Sequence, residues 1–163
     1  MKRVLLTGMS GAGKSAVIRE LVARGHAAVD LDDGAWSAWV DAEGDPTGAM
    51  PGKDWLWRED RVRDLLAAEG AGTLFVSGCA PNMGAFLPRF DHVVLLTAPV
   101  EAMLARLASR TDNPYGKRPE EVAAVLANLR EVEPRLRAAA GHEVDTDAPL
   151  AEVVARVLRC VGA

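Results

Sequence analysis

The octet Gly8-Met9-Ser10-Gly11-Ala12-Gly13-Lys14-Ser15 constrains this chain more than any other stretch. It fits Gly, any four residues, Gly, Lys, then Ser or Thr, the pattern of a phosphate-binding loop. Its flanks agree. Val4, Leu5 and Leu6 form a short apolar run that reads as a buried strand. After Lys14, the residues Val17, Ile18, Leu21 and Val22 share one helical face. The loop therefore joins a strand to a helix N-terminus, which is the setting the pattern requires. Gly8, Gly11 and Gly13 allow left-handed backbone and close approach to a ligand. Successive amides then form an anion-binding nest, reinforced by the helix dipole. The expected phosphate-binding set is Gly8, Met9, Ser10, Gly11, Ala12, Gly13, Lys14, Ser15 and Ala16. Lys14 supplies a mobile cation for the β- and γ-phosphates, and Ser15 a hydroxyl for Mg²⁺.

At 163 residues, one domain is expected, and 49% apolar residues are enough for a full core. A net charge of −4 argues against a dedicated nucleic-acid binder, which is usually basic. Cys79 and Cys160 are too few and too far apart for a disulfide framework, and suggest a reducing compartment. Met1-Lys2-Arg3 leads directly into a strand rather than a long apolar leader. No apolar run approaches the roughly 20 residues that cross a bilayer. A cytoplasmic protein with no membrane association is expected.

Strands and helices alternate along the whole chain. The first helix runs from about Lys14 to Arg24 and stops at Gly25. Ala27 to Leu31 is a second strand, running into Asp30-Leu31-Asp32-Asp33. Gly34 to Lys53, with Gly44, Pro46, Gly48, Pro51 and Gly52, reads mostly as loop. Asp54 is the expected N-cap of a helix reaching about Glu69. Thr73–Ser77 and His92–Thr97 are the third and fourth strands, with a short helix near Gly84 to Leu87 between them. Pro99 and Pro119 open the next helices, Pro134 interrupts the second of these, Glu143–Thr146 is the fifth strand, and Pro149 begins a last amphipathic helix. Such alternation implies an α/β fold with helices on both faces of a parallel sheet. Ligands in such sheets sit beyond the carboxyl ends of the strands. The octet, Asp30 to Asp33 and Gly78-Cys79 all fall there.

With these residues in place, the chain resembles the small P-loop kinases of the nucleoside-monophosphate-kinase-like group, shikimate and gluconate kinases in plan. The likeness spans essentially the whole chain. It rests on Gly8 to Ser15, on Asp30-x-Asp32 after strand two, and on Arg106 and Arg110 before a short polar segment. It implies a three-layer domain over residues 1–163 with five parallel strands ordered 2-3-1-4-5. It also implies a substrate-binding insert at 34–58 and a lid at 111–118. The expected reaction is transfer of the γ-phosphoryl of MgATP to a small-molecule hydroxyl. In such a kinase the first acid helps hold Mg²⁺ and the second meets the acceptor hydroxyl as base; here these are Asp30 and Asp32. Two carboxylates one residue apart on an extended segment do point the same way. Asp33 is an extra acid able to take either role. The resemblance also implies that Arg106 packs on adenine and Arg110 reaches phosphate, with Lys117 and Arg118 placed to do likewise. Lys14, Asp32, Arg110 and Arg118 are thus the expected catalytic set, with Ser15 and Asp30 on the metal.

The departures are equally informative. Phe75-Val76-Ser77-Gly78-Cys79 carries no acid where a Walker B aspartate would stand, which counts against motor ATPases. No Asn-Lys-x-Asp element is present, which counts against a GTPase switch. The insert carries no gluconate- or shikimate-specific pattern. All four tryptophans, Trp36, Trp39, Trp55 and Trp57, flank it. They form either an aromatic pocket wall or the core of a thin subdomain. Arg58 and Arg61 nearby could bind an anionic group. The expected acceptor site combines Asp32, Asp33, Trp36, Arg58, Gly78 and Cys79. The acceptor is a small hydroxylated metabolite or, alternatively, a nucleoside monophosphate; a non-catalytic ATP-binding regulator is the third possibility. The three histidines have no zinc-ligand spacing, and Cys79 reads as a small buried residue rather than a nucleophile.

Overall fold

The computed structural model describes residues 1–42 and 50–163. The glycines and proline of the expected loop at Gly44, Pro46 and Gly48 lie outside the described residues. Strand β1 (Lys2–Thr7) is the middle of a five-stranded sheet. It pairs in parallel with β5 (Thr73–Ser77) on one side and with β6 (His92–Thr97) on the other. The edges are β2 (Ala27–Asp30) against β5 and β7 (His142–Asp145) against β6, both again parallel. Counting parallel strands alone, the order is 2-3-1-4-5, as the resemblance implies.

The period of two along β1 divides the core. Val4 and Leu6 point to one face, where they meet Val17, Ile18 and Leu21 of α1 (Lys14–Ala23) and Val153, Val154 and Val157 of α6 (Leu150–Val161). Leu5 points to the other face. There it packs among Val62 and Leu66 of α2 (Glu59–Ala67), Met103 of α3 (Val100–Ser109) and Leu136 of α5 (Glu133–Ala139). Met83 and Phe86, from a 3₁₀ segment at Pro81–Arg89, complete that face. Each fully buried Val or Leu contributes roughly 1.5–3 kcal/mol over leaving it exposed. The sheet is therefore a rigid platform, and the loops at its carboxyl edge are placed by it. Helix α4 (Pro119–Glu131) leads into α5, with Pro134 near the start of the latter.

The insert differs from its sequence reading. Ser37–Asp41 is strand β3 and Lys53–Trp57 is strand β4, paired antiparallel with Trp39 opposite Trp55 and Ser37 opposite Trp57. Asp54 is therefore no N-cap; it lies within a strand, and α2 begins at Glu59 after Arg58. The run Trp55-Leu56-Trp57 is strand-favouring aromatic and apolar sequence. Its partner strand is too short and too polar to announce itself by alternation.

Candidate active site

The octet turns tightly between β1 and α1. Gly11 has φ +81°, and a Cβ there would lie 2.7 Å from the carbonyl oxygen of Met103, so no other residue fits. Lys14 folds back over the loop. Its Nζ donates to the carbonyls of Gly8 at 2.8 Å and Met9 at 3.3 Å, and stands 3.8 Å from Asp32 Oδ2. Ser15 Oγ donates to Asp30 Oδ2 at 2.5 Å. The other oxygen of Asp30 accepts the backbone N–H of Asp32 at 3.1 Å. The end of β2 is thereby tied to the start of α1, and its two acids are set side by side.

Asp32 is held from several directions. Its Oδ1 accepts the backbone N–H of Cys79 at 3.2 Å, and its carbonyl accepts the indole N–H of Trp55 at 3.3 Å. Protein crowds the carboxylate, although 31% of the side-chain surface stays open toward the cleft. Burial pushes its pKa above the ordinary aspartate value; the Lys14 charge opposes that rise and the Asp30 charge adds to it. A raised carboxylate beside a cation in a cleft is the electrostatic signature of a functional group.

Around these residues opens a cleft of about 640 Å³. Its floor is Ser10, Gly11, Gly13, Lys14, Ser15 and Ala16, with Asp30, Asp32 and Asp33 along one side. Arg19 of α1 and the stretch Arg110, Asp112, Asn113 and Tyr115 form the opposing wall. Arg110 bonds the carbonyls of Asn113 at 3.1 Å and Tyr115 at 2.7 Å, shaping that stretch from within, and partial burial lowers its pKa. Arg106 sits between the cleft and an adjoining hollow of about 290 Å³ lined mainly by Ala16, Val17, Ala148, Leu150 and Val153. It donates to Gly11 O at 3.1 Å, Thr146 Oγ1 at 2.9 Å and Thr146 O at 2.8 Å.

The structure brings eleven of the expected site residues to this cleft: Ser10, Gly11, Gly13, Lys14, Ser15, Ala16, Asp30, Asp32, Asp33, Arg106 and Arg110. Gly8, Met9 and Ala12 lie buried behind the loop. Gly78 and Cys79 back onto Asp32, and burial raises the Cys79 thiol pKa, which keeps it protonated at neutral pH. Trp36 packs against the core. Arg58 is exposed, and its Nε donates to Ser37 O at 3.3 Å rather than standing free. Arg118 is not among the lining residues; it pairs with Glu121 at 2.7 Å and Glu120 at 3.5 Å. Of the tryptophans, Trp57 is core, while Trp39 and Trp55 pack ring to ring at 5.0 Å on the hairpin. Asp112, Asn113 and Tyr115 belong to the expected 111–118 lid, whereas Arg19 and Thr146 were not among the expected site residues. Arg19 carried a usable signal, since it lies one helical turn after Ser15 on the same face.

Among the described residues, no helix is long and apolar enough to cross a membrane, and no group of three or more His, Cys, Asp or Glu could hold a metal ion. A strand, a glycine loop carrying Lys14 and Ser15, and paired acids from the next strand define a P-loop phosphotransferase. Comparison with known proteins narrows the class. A family model described as "AAA domain" matches residues 4–131. The shikimate kinase of Salinibacter ruber is 32% identical over 178 residues, covering 99% of this chain and 85% of that one. Among solved structures, shikimate kinase from Acinetobacter baumannii in complex with shikimate superposes with a TM-score of 0.65 at 22% identity, covering 99% and 93% of the two chains. A gluconokinase from Sinorhizobium meliloti superposes with a TM-score of 0.56 at 19% identity, covering 99% and 91%. The chain belongs to the AAA-domain P-loop family and to the shikimate-kinase-like P-loop kinases. It is an ATP-dependent small-molecule kinase.

Proposed function

We propose that this kinase transfers the γ-phosphoryl of ATP to a hydroxyl of a small polyhydroxylated acceptor held beside Asp32. One observation carries the reading: Lys14, Ser15, Asp30 and Asp32 converge at one edge of the sheet, with Lys14 Nζ 3.8 Å from Asp32 Oδ2. Phosphoryl transfer is mostly positioning and charge stabilisation, and these groups match its needs. The loop amides and Lys14 bind the phosphates, and the hollow beside Arg106 takes the adenine. The Ser15 hydroxyl and the Asp30 carboxylate form an all-oxygen donor set suited to a hard cation, and they are the residues that would hold Mg²⁺. When bound, Mg²⁺ would neutralise charge on the phosphate oxygens.

Asp32 accepts the proton of the acceptor hydroxyl. The acceptor oxygen forms a bond to the γ-phosphorus as the bond to the β–γ bridging oxygen breaks, and ADP departs. Arg110, on the wall formed by the 111–118 lid, supports the developing charge. Arg118 joins it only after leaving Glu121. Asp33 and the hairpin of the 34–58 insert border the acceptor, with Gly78 and Cys79 behind. A phosphate-bearing acceptor is the weaker reading, because Arg58 and Arg61 are engaged by the carbonyls of Ser37 and Ala35.

The test is coupled ADP release with Mg²⁺ across small hydroxylated metabolites and nucleotides. At least one hydroxylated acceptor should accelerate ADP formation, and Lys14→Ala should lower that rate by about 10³-fold or more without changing the circular dichroism spectrum. ADP formation that no acceptor accelerates would refute the reading.

A further inference from the structure

Trp57 does something that core packing leaves unexplained. Its ring is 2% exposed and rests on Phe86 at 5.8 Å between centroids. Its backbone is clamped as well: its N–H donates to Asn82 Oδ1 at 3.1 Å, and its carbonyl accepts Asn82 Nδ2 at 3.0 Å. Yet the indole Nε1 is buried with no hydrogen-bond partner. A buried donor left in that state costs about 1–3 kcal/mol, so a purely apolar residue would pack there more favourably. The neighbour that explains the donor is Asp32. Both Trp57 Nε1 and Asp32 Oδ1 lie 3.0 Å from the point where a Cβ of residue 78 would stand. Only because residue 78 is glycine can the indole edge and the carboxylate both pack against it. The Trp57 N–H acts on that carboxylate in the sense of favouring its charged form.

Trp55, two residues earlier on the same face of β4, already bonds the carbonyl of Asp32. Trp55 thus holds the Asp32 main chain, and the Trp57 indole edge lies beside the Asp32 carboxylate at Gly78. The Cys79 amide holds the same Oδ1. Oδ2 is left to face Lys14 and the cleft.

We infer that Trp57 is a positioning residue for the kinase reaction: its indole N–H, passing over Gly78, fixes the Asp32 carboxylate so that Oδ2 points at the acceptor hydroxyl. This rests on the reading of Asp32 as the base. It gives the hairpin a task beyond forming a wall, and it explains why a tryptophan stands where any large apolar ring would fill the core.

Two measurements test it. The first uses the substrate-free protein: nitrogen-15 spectra of the four indole N–H groups, with Trp57 assigned by its loss in Trp57→Phe. Asp32→Asn should move the Trp57 indole signal more than any other indole signal, whereas Asp33→Asn should leave it in place. The second is kinetic: Trp57→Phe should lower kcat by about 10- to 100-fold with the KM for ATP unchanged, since a misplaced base costs rate rather than nucleotide affinity. A Trp57 indole signal indifferent to Asp32→Asn, or a wild-type kcat in folded Trp57→Phe, overturns the inference. The spectra need no turnover. A chain that phosphorylates no acceptor thus refutes the kinase reading, and the indole shift still decides whether Trp57 holds Asp32.

Discussion

The two halves of the cleft are built by opposite means. On the proposed nucleotide side, eight contiguous residues make the whole loop, and their own backbone would do most of the binding. On the proposed acceptor side, one aspartate is held from three chain segments: Trp55 of β4 and the Asp30 carboxylate at the end of β2 fix its main chain, and the Cys79 amide holds its carboxylate. The first design depends on local conformation and tolerates change elsewhere. The second depends on tertiary packing, so small changes far along the chain reach it.

The largest expected effect separates the two halves by chemistry. Asp32→Asn keeps the shape and the Cys79 hydrogen bond but removes the base. It should lower kcat by about 10²–10⁴-fold while leaving nucleotide binding nearly intact, as read by ATP titration calorimetry. Lys14→Ala should damage both. Asp32 must be ionised to work, and burial holds its pKa above the ordinary aspartate value. The wild-type rate should therefore fall off on acidification at a higher pH than an exposed aspartate would dictate, and Asp32→Asn should abolish that limb of the profile. Equal loss of ATP affinity in both variants would mean that the halves are not separate.

The same contrast governs what could be read before any coordinates. The octet is covalently contiguous, and the buried parallel strands announce themselves as apolar runs, so the α/β plan was legible in the residues, while the strand order came only with the resemblance. Asp30 and Asp32 were legible because an extended segment fixes their relative direction. The hairpin was not, because β3 is a short, half-polar strand whose partner lies across residues with no periodic signal. Trp57 was legible as a large residue but not as a neighbour of Asp32, since that placement needs three chain segments to come together at Gly78. The partners of Arg58 and Arg118 were hidden for a related reason. A charge looks free in sequence until the carbonyl of Ser37 or the carboxylate of Glu121 is seen beside it.

Gly78→Ala sharpens the comparison from the acceptor side. The added methyl would stand 2.8 Å from Trp57 Cζ2 and 3.0 Å from both Trp57 Nε1 and Asp32 Oδ1, and none of these atoms belongs to a flexible chain end. Overpacking of this kind costs about 1–3 kcal/mol, measurable by denaturant unfolding. The turnover loss should exceed what the stability loss explains, because Asp32 must shift. Unchanged turnover in a folded Gly78→Ala protein would mean that the grip on Asp32 is loose.

The smallest expected effect lies on the wall facing the nucleotide floor. Glu121 gathers the amides of Gly116, Lys117 and Arg118 with one carboxylate oxygen and the Arg118 guanidinium with the other. That reciprocal cap ties the 111–118 stretch to the start of α4. The Arg118 guanidinium, then the backbone amides, hold the Glu121 carboxyl at a pKa of about 2, below its usual value of 4.5. A lowered folded-state pKa means stability that is present above the unfolded value and lost as pH falls toward the folded one. Glu121→Gln should lower Tm by roughly 1–2 °C at neutral pH, and the gap between variant and wild type should close between pH 4.5 and about 2. If this cap also restrains Arg118, the variant should free that side chain toward the cleft and alter the KM for ATP slightly. A KM shift confined to the acceptor would instead assign the stretch to the opposite half.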